Sequence, residues 1–86
     1  MHGKGMQQKV EDAVLDSYET MYRIAYTYVK NEEDALDIVQ ESAYKAIRNC
    51  EQVKKERYIQ TWLCRIVINT SMDFLRKTQR EFPIEE

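Results

Sequence analysis

Residues 61–77 read TWLCRIVINTSMDFLRK, and two stripes run through them. Ile59, Leu63, Ile66, Thr70 and Phe74 recur at three- and four-residue steps, with Trp62 and Val67 widening the band, which is the period of one apolar helical face. Arg65, Asn69, Met72, Arg76 and Arg80 recur at the same steps on the opposite side. The spacing therefore predicts a helix over residues 58–77 that is apolar toward a core and cationic toward solvent. Asp73 stands one turn before Lys77 and can pair with it, a local support for the helix.

Upstream, CEQVKKER at residues 50–57 has no helical apolar stripe and only Val53 as an aliphatic residue, so it reads as a loop. Before it, Ala35, Ile38, Val39, Ser42, Ala43, Ala46 and Ile47 mark a helix ending near Asn49, whose small residues permit close approach to a neighbour. Asn31 can cap its free amides, and Glu32, Glu33 and Asp34 favour its positive end. A further helix over residues 6–29 carries Met6, Val10, Val14, Tyr18 or Ser17, Met21, Ala25 and Tyr28 inward, with the dense aromatic set Tyr18, Tyr22, Tyr26 and Tyr28 shared between core and rim. Glycine occurs only at positions 3 and 5 and proline only at 83, so nothing interrupts helical pattern in between. The expectation is an all-α fold: a compact bundle of three main helices, with a split of the first left open.

Eighty-six residues make one small domain, since a chain this short buries only about 60% of its unfolded surface. The net charge of −2 conceals an asymmetry: residues 1–44 hold four Lys/Arg against nine Asp/Glu, and residues 45–80 hold nine against three. A basic block behind an acidic one suits two different partners, one of them a polyanion, although a dipolar solvated surface has the same composition. Cys50 and Cys64 lack the paired spacing of zinc or redox motifs and fit a reducing cytoplasm. No apolar run approaches the roughly 20 residues that cross a bilayer, and the first residues lack a signal-peptide core. The single histidine, His2, lies in a glycine-flanked terminus, and neither cysteine has a partnering base, so an enzyme is not indicated and no cofactor is called for.

Two segments resemble a known family. MYRIAYTYVKNEEDALDIVQ at residues 21–40, followed by Glu41, resembles the sigma-factor sequence of an aromatic-rich helix, a polar turn and an acidic helix with D-A-x-D-x-V-Q-E. TWLCRIVINTSMDFLRK resembles the family's W-L-x-x-I-x-x-N-x-x-x-D-x-x-R, in the right order and at the right distance. The chain thus looks like region two of a bacterial sigma-70 family factor of the extracytoplasmic-function type.

That resemblance implies a sigma-2-like fold, cytoplasmic action, and a module that binds core RNA polymerase and promoter DNA. Asp37, Gln40 and Glu41 would dock on the clamp helices of the polymerase's largest subunit, with Asp34, Tyr44, Lys45 and Arg48 as neighbours. Solvation of a surface helix would use the same carboxylates. The family opens promoters by capturing a base extruded from the non-template strand of the minus-ten element. Here that implies Asn69 for the base edge, Tyr58 for stacking, and Lys54, Lys55, Arg57, Arg65, Arg76, Lys77 and Arg80 for the phosphates. Trp62 reads as a core anchor before it reads as a stacking platform. The loop sequence CEQVKKER lacks the family's aromatic and glycine residues, and Cys64 stands where an aromatic residue is common. Residues 1–8 read as a flexible amino terminus or a non-native remnant, 9–80 as the domain, and 81–86 as the start of a linker, with region four absent. An anti-sigma factor is a further implied partner. The competing reading is a helical protein-interaction module, held by such a regulator and with little DNA binding of its own. The domain is expected to be monomeric, outside the membrane.

Overall fold

A computed structural model describes residues 5–81, with side chains through Thr78, and the all-helical expectation is met by four helices among those residues. They are α1 (Met6–Asp16), α2 (Tyr18–Val29), α3 (Glu32–Arg48) and α4 (Ile59–Glu81). Helix α1 begins three residues before the expected start of the domain. Arg80 belongs to α4 by its backbone, but its side chain lies outside the described residues, as do residues 1–4 and 82–86.

The long first helix predicted over residues 6–29 divides at Ser17. The apolar phase passes through the division without a slip, because Val10, Val14, Ser17, Met21 and Ala25 all face inward. What breaks the helix is tertiary. Ser17 takes φ −107° and ψ 10°, and its hydroxyl exchanges hydrogen bonds with the Gln60 side chain, at 2.9 Å to Oε1 and 2.7 Å from Nε2. Buried Ser17 therefore occupies the inward position, while Tyr18 is 42% exposed.

Between α2 and α3 the chain reverses over two residues. Lys30 adopts the left-handed conformation, φ 55° and ψ 31°, and its amide donates to the Tyr26 carbonyl, closing α2. Asn31 is extended, and its side-chain oxygen accepts the Asp34 amide at 2.9 Å, the cap that the sequence predicts. A cap of this kind contributes about 1 kcal/mol. Glu32, Glu33 and Asp34 at one end and Lys45 and Arg48 at the other complement the dipole of α3.

Helices α2, α3 and α4 pack against one another, and α1 lies across α3, α4 and the connecting segment. Met21, Ala25, Ala35, Ile38, Val39, Leu63 and Val67 are nearly or fully buried, with Val67 at the centre of the α4 face rather than at its margin. Ile66, Trp62 and Phe74 pack on that core from its edge. The predicted loop between α3 and α4 is two short 3-10 turns, Cys50–Gln52 and Glu56–Tyr58, because its lone aliphatic residue, Val53, is drawn into the core at 6% exposure. Ser71 returns its hydroxyl to the Val67 carbonyl at 2.8 Å, whereas Ser42 Oγ is buried with no hydrogen-bond partner among the described residues.

Candidate functional site

Two surfaces collect nearly all the residues singled out above. The first is the exposed flank of α3. Its buried positions at Ala35, Ile38, Val39, Ser42 and Ala46 turn Asp37, Gln40, Glu41, Tyr44 and Arg48 into solvent, with Asp34 half-buried at the boundary. Tyr44 is 62% exposed, and the Arg48 guanidinium lies 5.8 Å from its ring centre and donates to its hydroxyl at 3.4 Å. Lys45 turns back toward α4: its ammonium is 3.2 Å from Glu41 Oε2 and donates to Thr70 Oγ1 at 3.2 Å. It braces the surface more than it offers a free charge.

Asp34, Asp37 and Glu41 share a groove of about 580 Å³ with Thr70, Asp73, Phe74, Lys77 and Thr78 of α4. Lys77 is thus set apart from the group it was expected to join and placed among carboxylates beside α3. The expected Asp73–Lys77 pair is also replaced, because Asp73 bonds Arg76, one turn away on the outer side.

The second surface is the outer face of α4 with the turn ahead of it. Arg65, Asn69, Met72 and Arg76 are all exposed, since the same helical register that buries Leu63, Val67 and Thr70 points them away. Tyr58, 52% exposed, stands at the head of this stripe. The Arg57 guanidinium lies 5.1 Å from its ring centre and donates to its hydroxyl at 3.3 Å. Tyr58, Thr61, Trp62 and Arg65 line a shallow pocket of about 240 Å³. Trp62 therefore serves two sides, packing on the core while lining this pocket. Lys54 and Lys55 are exposed on the bend between the two 3-10 turns, and among the described residues no ion pair or side-chain hydrogen bond ties them to the α4 stripe. Among the described residues no carboxylate pairs with Arg65, whereas Arg76 is partly neutralised by Asp73. The result is an aromatic ring, an indole edge, an amide and two guanidinium groups along one face. These are the elements needed to stack a planar base, read its edge and hold flanking phosphates.

Sequence reading missed the contribution of α1. Lys9 Nζ lies 3.2 Å from Glu56 Oε1, and Ser17 bonds Gln60, so two ties bracket Tyr58. The aromatic set of α2 splits as expected between packing and exposure: Tyr22 and Tyr28 are half-buried, Tyr18 and Tyr26 more than 40% exposed, and Tyr22 stacks on Tyr26 at 5.9 Å. Burial raises the Tyr22 phenol above its ordinary value, and Glu32 and Tyr26 push the same way. Cys50 and Cys64 are free thiols. Among the described residues no three of His, Cys, Asp and Glu gather closely enough to hold a metal ion, and no helix is long and apolar enough to cross a membrane.

The family model described as Sigma-70 region 2 matches residues 13–81. The chain is similar to the RNA polymerase sigma factor SigV of Bacillus subtilis, 45% identical over 67 residues that make 78% of this chain and 40% of that protein. It is also similar to the extracytoplasmic-function RNA polymerase sigma factor SigW of the same organism, 30% identical over 95% of this chain and 44% of that protein. The extracytoplasmic-function RNA polymerase sigma-E factor of Haemophilus influenzae is 32% identical over 92% of this chain and 42% of its own length. The chain spans less than half the length of these curated relatives. No solved structure matches it significantly.

Proposed function

The chain belongs to the sigma-70 region 2 family, in its extracytoplasmic-function branch, and from that premise we propose that it docks on core RNA polymerase through α3 and captures an unstacked promoter base at the head of α4. In this reading it acts in the bacterial cytoplasm as a non-enzymatic initiation module. The observation that carries the proposal is the separation of the two surfaces: carboxylates on the exposed flank of α3, and an aromatic, amide and guanidinium stripe on the outer face of α4.

The division of labour follows from charge. Asp37 and Glu41 offer carboxylates to a basic protein surface, and electrostatic complementarity there fixes the register of docking. Such a surface would repel DNA. On α4, Arg65 and Arg76 attract phosphates, while Tyr58 and Trp62 present apolar surface to a base and Asn69 can pair with its edge. Extruding a base from the duplex costs a few kcal/mol, so the isolated domain should bind DNA weakly and depend on polymerase to hold the open strand. An anti-sigma factor that covered the α3 flank would compete with polymerase there, which is how a regulator fits the same geometry.

The test uses the chain in complex with core polymerase and a single-stranded oligonucleotide carrying the non-template minus-ten sequence. Tyr58→Ala and Asn69→Ala should each weaken binding by about 1–3 kcal/mol while leaving polymerase affinity unchanged. Arg65→Ala should flatten the dependence of log K on log salt by about 0.7, the single-strand value for one phosphate contact. Arg76→Ala should change it less, because Asp73 already shares that charge. Wild-type binding by both Tyr58→Ala and Asn69→Ala would contradict the DNA assignment and leave a protein-docking module.

A further inference from the structure

Tyr58 is more than half exposed, with the guanidinium of its neighbour Arg57 over its ring, so the course of the backbone at this turn governs where the ring stands. That backbone is held from α1. Val53 and Cys50 pack in the core cluster that contains Val10 and Val14, and α1 lies against the Cys50–Gln52 turn. Lys9 holds Glu56, two residues before Tyr58, at 3.2 Å. Ser17, at the elbow between α1 and α2, holds Gln60, two residues after it, through hydrogen bonds of 2.9 and 2.7 Å. Lys9 and Val10 precede residue 13, where the match to the family model begins, whereas Ser17, Glu56 and Gln60 lie within it.

We propose that Lys9 and Ser17 are positioning residues for the base-capture pocket: through Glu56 and Gln60 they fix the turn that carries Tyr58, and with it the selectivity of the pocket for a base. The inference rests on the function proposed above. Two features of the geometry favour positioning over general stability. Both ties end on exposed residues that flank Tyr58, and the Lys9–Glu56 pair stands apart from the α2–α3–α4 contacts that make the main core, while Ser17 reaches only the first turn of α4. The Lys9 and Glu56 side chains are 32% and 66% exposed, so breaking the pair frees the turn and leaves the buried helices in place.

Three proteins test this beside the wild type: Lys9→Glu, Ser17→Ala, and the exchange Lys9→Glu with Glu56→Lys. The first readout is hydrogen exchange at the Tyr58 amide, which bonds the Lys55 carbonyl at 3.0 Å within the turn. The second is discrimination, in complex with core polymerase, between the intact minus-ten single strand and a set in which each nucleotide in turn is abasic. Lys9→Glu should speed exchange and reduce discrimination by about two- to fivefold, the range that one partly exposed ion pair allows. Ser17→Ala should move both readouts the same way, and the charge exchange should restore them. Affinity for core polymerase should stay at the wild-type value throughout. Unchanged exchange and discrimination in Lys9→Glu would overturn the inference, as would failure of the charge exchange to restore them. If the wild type itself fails to discriminate, the base-capture reading falls instead, and hydrogen exchange still decides whether α1 holds the turn.

Discussion

Leu63→Ala is expected to lower the stability of the domain by about 2–5 kcal/mol, the cost of deleting a buried leucine and leaving a cavity behind. Leu63 is 1% exposed, with Ile59 and Val67 buried one turn to either side, and α4 meets both α2 and α3 along this face. A small domain has a total stability of only about 5–15 kcal/mol, so one substitution removes a large part of it. Polymerase binding and single-strand binding should fail together and in proportion to the unfolded fraction, because α4 carries the core on one side and the cationic stripe on the other. Urea unfolding followed by far-ultraviolet circular dichroism measures the loss. An unchanged midpoint would mean that α4 is not the shared wall of the core.

Asp37→Arg is expected to weaken binding to core polymerase by roughly a hundredfold or more, since like charges brought together at an interface cost several kcal/mol. The side chain is exposed on α3, so the fold tolerates the exchange. Asp37 is a cleaner probe than Glu41. Reversing Glu41 would also repel Lys45 and disturb its hydrogen bond to Thr70, mixing a structural effect into the result. A pull-down of core polymerase, with unfolding temperatures compared, checks the prediction. Retention at the wild-type level with an unchanged unfolding temperature would remove α3 from the polymerase interface.

The parts of the fold that could be read in advance are those with local causes. Asn31 caps α3 through an amide three residues away, and the inward and outward stripes of α4 follow from its own periodicity. Val53 stood out as the only aliphatic residue in a polar segment, and it proved to be the anchor that shapes that segment. The division at Ser17 had no local signal, because the apolar phase runs straight through it and its cause, Gln60, lies 43 residues away. Lys9 and Glu56 were equally hidden, since no spacing rule links positions on different elements. The side of Lys77 could have been found: it lies fourteen residues after Leu63, close to four turns at about 3.6 residues each, which returns it toward the α3 side of the helix. Grouping it by charge rather than by angle concealed this. Asp73 shows a different limit. Partners at both i+3 and i+4 were within reach, and spacing alone does not choose between them; the structure pairs Asp73 with Arg76.

The outward amide of α4 is where these ideas meet a decisive measurement. A photocrosslinking residue installed at position 69, with the chain assembled on core polymerase and a promoter, should label the non-template strand within the minus-ten element, while the same probe at position 37 should label the polymerase's largest subunit. Labelling of protein alone from position 69 would contradict the assignment of that face to DNA.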